Sequence, residues 1–121
     1  MKKILIVDDE PIILRALSRA LAHESFEILT APDGKAGLKS IETHAPDLVL
    51  LDILMPHLSG LDVLEKIRKS NNTVPVILMT AYGDTHMEQT AKRLNVTAYL
   101  KKPFNQIETV IDLVKRTLQS A

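Results

Sequence analysis

An α/β architecture, with a parallel sheet covered by helices on both faces, follows from two features of this 121-residue chain. Short runs rich in Ile, Leu and Val alternate with longer segments of helical period, giving five βα units. The first, third and fourth runs are apolar throughout, as strands must be when helices bury both of their faces.

Taken in order, the first strand is expected over Ile4 to Val7, ended by Asp8 and Asp9. Ile13, Leu17, Ala20 and Leu21 then recur with the spacing of one helical face. The second strand, Phe26 to Thr30, is interrupted by Glu27 and Thr30 and so belongs toward an edge. The turn residues Asp33 and Gly34 open a second helix, anchored by Leu38 and Ile41. Leu48 to Leu51 form the third strand, and Ser59 and Gly60 open a third helix carrying Leu61, Leu64 and Ile67. Val76 to Met79 make the fourth strand. The helix expected next, from about Asp84 to Leu94, has an inner stripe of only Met87, Ala91 and Leu94, which predicts a lightly anchored element able to shift. Thr97 to Leu100 complete the sheet, and Ile107, Val110, Ile111, Val114 and Leu118 mark the last and most regular helix.

No linker, repeat or low-complexity segment divides the chain, and its length suits one domain over residues 1–121. Fifteen basic side chains balance fifteen acidic ones, so no long-range field draws nucleic acid or an anionic bilayer, and neither partner is expected. Cysteine is absent, which excludes disulfides and thiolate zinc sites and fits a reducing compartment. The apolar run after Met1 is cut at Asp8, too early for a signal peptide, and no stretch is long enough for a membrane helix. The expected location is the cytoplasm.

Open α/β sheets bind ligands beyond the carboxyl ends of their strands. The polar residues there are Asp8 and Asp9 after the first strand, Asp52 after the third, Thr80 after the fourth and Lys102 after the fifth. Each has an ordinary reading when taken alone. An aspartate before Glu10 and Pro11 can cap a helix, and Asp52 can begin a turn. Neighbouring strands, however, lie about 4.8 Å apart, which gathers the three carboxylates at one sheet edge. Like charges about 4 Å apart repel by about 4 kcal/mol at an effective dielectric near 20, so a divalent cation is implied. An all-oxygen ligand set favours Mg²⁺, for which Mn²⁺ can substitute. Such an ion beside Asp52 would let a phosphoryl group approach an anionic nucleophile. Lys102 would add a second positive charge. The Thr80 hydroxyl and the Ala81 backbone N–H would donate to phosphoryl oxygens, and the product would be an aspartyl phosphate.

The runs ILIVDDEP, DLVLLDILMPHLSG, MTAYG and YLKKPF stand in the order and spacing of response regulator receiver domains, which the chain resembles over its whole length. The resemblance implies a flavodoxin-like, doubly wound (βα)5 three-layer sandwich with a five-stranded parallel sheet in the order 2-1-3-4-5. It implies that Asp52 is the phosphoacceptor, that Asp9 binds the metal directly, that Asp8 acts mainly through water and that Leu54 lends its backbone carbonyl. Thr80 and Tyr99 resemble the family's switch pair. Lys102 matches its conserved-type lysine, with a cis peptide to Pro103, and Leu54 and Tyr82 fall where the family tunes phosphoryl lifetime. The implied partners are a sensor histidine kinase or histidine phosphotransfer protein upstream and a protein target on the face of the fourth helix, fifth strand and fifth helix. The implied state is a monomer or a phosphorylation-dependent dimer. No residue is placed as a general acid or base for turnover, so an enzyme is not expected beyond self-catalysed phosphotransfer and slow autodephosphorylation.

Two rivals share parts of this pattern. A flavodoxin-type mononucleotide site needs free N–H groups after the first strand, where this chain has the anion-repelling run Asp8-Asp9-Glu10-Pro11. A phosphohydrolase that forms an aspartyl phosphate would carry a second acid two residues after its nucleophile, where this chain has Leu54. His57 is within reach of the metal in principle, but a solvated loop histidine is the simpler reading, and His23, His44 and His86 are expected at the surface. Two roles stay open: a free-standing relay, or a receiver cut from a regulator with an output domain.

Overall fold

Strands and helices alternate along the chain in the computed structural model, which describes residues 1–81, 85–103 and 107–120. The strands are β1 (Lys3–Val7), β2 (Glu27–Ala31), β3 (Leu48–Asp52), β4 (Val76–Thr80) and β5 (Ala98–Lys101). The helices are α1 (Pro11–Ala22), α2 (Gly34–His44), α3 (Gly60–Lys69), α4 (Thr85–Arg93) and α5 (Ile107–Ser120). All neighbouring strands pair in parallel, and the sheet runs β2-β1-β3-β4-β5. This is the flavodoxin-like, receiver-type order that the sequence resemblance implies.

Successive side chains of a strand point to opposite faces, so each continuous apolar run supplies two cores at once. Leu5, Val7, Val49, Leu51, Val76 and Leu78 meet Ile41 of α2, Val63, Leu64 and Ile67 of α3, and Ala91 of α4. Ile4, Ile6, Leu48, Leu50, Ile77 and Met79 meet Leu17 and Leu21 of α1 and Val110 and Val114 of α5. The result is three layers. β3 and β4 are buried at every residue, while β2 is partly exposed at the edge that its broken apolar pattern predicts.

Local chemistry sets the helix starts. Asp33 caps α2 by accepting the Ala36 N–H at 2.8 Å, and Ser59 with Asp62 forms a reciprocal capping box at α3. Neither Asp8 nor Asp9 caps α1: the N-cap is Glu10, which makes no side-chain cap bond. Those two carboxylates are thereby left for other work. β3 and β4 each extend one residue beyond their apolar runs, to Asp52 and Thr80, because ladder pairing depends on the backbone and not on side-chain polarity. β2 begins at Glu27, and Phe26 packs against the α1 and α5 core from outside the strand. Tyr82, Asp84 and Phe104 lie outside the described residues.

Candidate functional site

Strand register brings the polar strand ends together. Beyond β1, the Asp8 N–H donates to the Ala31 carbonyl at 3.1 Å, which holds residue 8 in line with the ladder and leaves it fully buried. Beyond β3, the Ile53 N–H donates to Met79 at 3.0 Å and fixes Asp52, which is 4% exposed. Gly60 presses on this point from α3. A Cβ there would collide with the Asp52 carbonyl, so the close approach requires glycine. Beyond β5, the Lys102 N–H donates to the Thr80 carbonyl at 2.9 Å, and the Lys102–Pro103 peptide is cis, as the resemblance implies.

The Lys102 ammonium is the hub. Its Nζ lies 2.7 Å from Asp8 Oδ2, 3.2 Å from Glu10 Oε1 and 3.5 Å from Asp52 Oδ1. Asp8 Oδ1 accepts the Glu10 N–H at 2.8 Å. Asp8 Oδ2 is buried, and among the described residues its polar contact is the Lys102 ammonium. Asp9 is exposed at the rim, yet its charge is felt at Asp52.

Electrostatics follow from this crowding. Burial pushes the Asp52 carboxyl up from 3.8 to about 7, helped by the negative charges of Asp8 and Asp9 and opposed by Lys102. Burial alone would lower the Lys102 ammonium, but contact with Asp8 and the charges of Asp52 and Asp8 outweigh it and hold Lys102 above its ordinary value. Among the described residues, carboxylates outnumber the one ammonium in the pocket, and the site attracts positive charge.

A hard divalent cation fits these residues. Carboxylate oxygens of Asp8, Asp9 and Glu10 lie within 4.8 Å of one another, and all of these ligand atoms are oxygen. Glu10 is the member that the sequence placed in an anion-repelling run without giving it a role of its own. The signal was present in its position as the third acid of an unbroken run.

The other expected site residues are spread around this hub. Thr80 is buried at the end of β4, opposite Lys101 of β5 in the register, and Ala81 follows it at the surface. Leu54, two residues past Asp52, is 51% exposed. Tyr99 packs against the α3 and α4 core, and its hydroxyl donates to the Met87 and Glu88 carbonyls of α4 at 3.4 and 3.3 Å. Burial, then the charge of Glu88, pushes the Tyr99 hydroxyl up. His57 is exposed, with a left-handed φ of 69°, and His23, His44 and His86 are exposed as well.

Residues 4–115 match the family model of the response regulator receiver domain. The chain is 38% identical to the probable transcriptional regulatory protein TcrX of Mycobacterium tuberculosis, over 91% of this chain and 47% of that protein. To the alkaline phosphatase synthesis transcriptional regulatory protein PhoP of Bacillus subtilis it is 36% identical, over 88% of this chain and 45% of that one. The chain thus spans about half the length of these curated relatives. Among solved structures, a CheY-like receiver domain protein of Methanospirillum hungatei superposes with a TM-score of 0.93 at 30% identity, covering 99% of this chain and 95% of that one. The response regulator TrrA of Thermotoga maritima, in complex with Mg²⁺ and BeF, superposes with a TM-score of 0.83 at 40% identity, covering 96% and 98%.

Proposed function

The chain belongs to the response regulator receiver domains of two-component signalling, and from that premise we propose that Asp52 accepts a phosphoryl group and that the protein signals by the change this causes. The observation that carries the reading is one ammonium, on Lys102, held among carboxylates from β1 and β3 in a buried pocket. A carboxylate there is a nucleophile that needs no base, only relief of its surrounding negative charge.

In this reading Asp8, Asp9, Asp52 and the Leu54 carbonyl hold Mg²⁺, or Mn²⁺ in its place. When bound, the ion neutralises charge that gathers on the transferring phosphoryl oxygens. TrrA, similar to this chain and in complex with Mg²⁺ and BeF, supports the choice of ion. Lys102, the Thr80 hydroxyl and the Ala81 N–H bind the phosphoryl oxygens. Asp52 forms the new bond to phosphorus as the bond to the donor's leaving group breaks. The donor is the phosphohistidine of a sensor kinase or phosphotransfer protein, met in the cytoplasm. Among the described residues no helix is long and apolar enough to cross a membrane.

Thr80 and Tyr99 act as the switch pair, and the face of α4, β5 and α5 receives the downstream protein, with the chain as a monomer or a phosphorylation-dependent dimer. Receiver domains are signalling proteins and not turnover enzymes, so multiple turnover on a phosphate ester is not expected. A second role, as the receiver part of a longer regulator, is favoured by relatives about twice as long that are named as transcriptional regulators.

Incubation with acetyl phosphate and Mg²⁺, read by intact mass, tests the reading. One added phosphoryl group is expected on the native chain and none on Asp52→Asn. An equal gain by both would end it.

A further inference from the structure

Glu10 stands at the N-terminus of α1 without capping it. Its carboxylate turns to Lys102 instead and accepts a hydrogen bond from Nζ at 3.2 Å. Lys102 also touches Asp8 at 2.7 Å, whereas Asp52 lies farther away at 3.5 Å. Both shorter contacts are on the β1 and α1 side of the pocket. Fully buried Asp8 supplies the larger part of that bias, and Glu10, whose side chain is 59% exposed, adds a second acceptor on the same side.

We propose that Glu10 is a positioning residue that, together with Asp8, holds the Lys102 ammonium on the β1 and α1 side, leaving Asp52 open to a divalent cation and to an incoming phosphoryl group. The inference rests on reading Asp52 as the phosphoacceptor. Lys102 and a cation compete for the same oxygens, on Asp8 and Asp52, so a carboxylate that draws the ammonium aside strengthens cation binding. The exposed pair stabilises the fold by little; its effect is on where one charge sits. Once a phosphoryl group occupies Asp52, its added negative charge pulls the ammonium across, and the Glu10 carboxylate, already 59% exposed, is left to water.

Calorimetric titration of Mg²⁺ into the full chain, without any phosphoryl donor, reads this directly. Glu10→Gln is expected to weaken binding about twofold to fivefold, the range open to an exposed pair. Glu10→Asp keeps the charge but is one methylene shorter, and it is expected to weaken binding nearly as much because it no longer reaches Lys102. With Lys102→Met in place, Glu10→Gln should add almost nothing, since the residue acts through the lysine. Native-like binding by Glu10→Asp, or the same loss with and without Lys102, would show action by charge alone and overturn the inference. So would unchanged binding by Glu10→Gln. Absence of Mg²⁺ binding by the native chain would instead sink the reading of the site itself, together with what rests on it.

Discussion

α3 and α4 cover the same face of the sheet, yet they are held in opposite ways. α3 buries Gly60, Val63, Leu64 and Ile67, begins with a reciprocal capping box and presses its first residue on the Asp52 carbonyl. α4 buries Ala91, with Met87 and Leu94 only partly covered. Among the described residues, polar ties add to this packing. Tyr99 reaches the Met87 and Glu88 carbonyls, and Arg68 of α3 donates to the Leu94 and Asn95 carbonyls just past its C-terminus at 2.8 and 3.2 Å. A third Arg68 bond, to Asn72 at 2.8 Å, ties the same guanidinium to the end of α3. Burial lowers the Arg68 guanidinium, a sign of how far it is withdrawn from water. The helix beside Asp52 is locked by packing, whereas its neighbour is held, among the described residues, by light packing and a few directional bonds. A helix held by a few directional bonds opens at lower cost than one locked by packing.

The largest contrast is expected from truncation. Leu64→Ala, at a fully buried site, should cost about 2–5 kcal/mol in urea unfolding, whereas Met87→Ala should cost about 1 kcal/mol. Equal losses would mean that α4 is packed as firmly as α3.

The next effect comes from the pocket that α3 locks in place. Because Asp52 rises from 3.8 to about 7 on folding, the folded chain keeps a proton that the unfolded chain loses between those values. Stability of the metal-free protein should therefore fall as pH rises from about 4 to about 7. At about 1.4 kcal/mol for each pH unit the drop approaches about 4 kcal/mol. Asp52→Asn should flatten that slope, and Mg²⁺ should offset the loss near pH 7. A native melting temperature that climbs across this window in metal-free buffer would refute the crowding argument.

Arg68→Ala should cost about 1–3 kcal/mol, the scale of hydrogen bonds from a charged donor to part-buried carbonyls. Its signature should be faster amide exchange at the C-terminal end of α4, with α3 little changed. Arg68→Lys should not restore protection, because one ammonium cannot reproduce the planar fork that reaches all three carbonyls. Smallest of all, Tyr99→Phe removes two long hydrogen bonds and should change stability by less than about 0.5 kcal/mol. A larger loss would place Tyr99 among the structural anchors of α4.

Much of this was readable in the chain. Continuous apolar runs marked the buried strands, the broken run of Glu27 and Thr30 marked an edge, and Asp33 and Ser59 announced helix starts, because burial and capping act over a few residues. The three-residue inner stripe of α4 foretold its light anchoring in the same way. The strand order came from family likeness, since nothing local specifies which strand lies beside which.

Other features depend on residues far apart in sequence. Glu10 turning from its own helix to Lys102, Gly60 meeting the Asp52 carbonyl and Arg68 bridging two helix ends belong to this group. Residue types and short-range patterns dictated where the chain would be apolar, where it would turn and which acids stood at strand ends. Which carboxylate shares which ammonium, and at what distance, arose only when the parallel register set β1, β3 and β5 side by side. Coulomb energy and hydrogen bonding depend on separation in space, and a linear pattern carries no such coordinate.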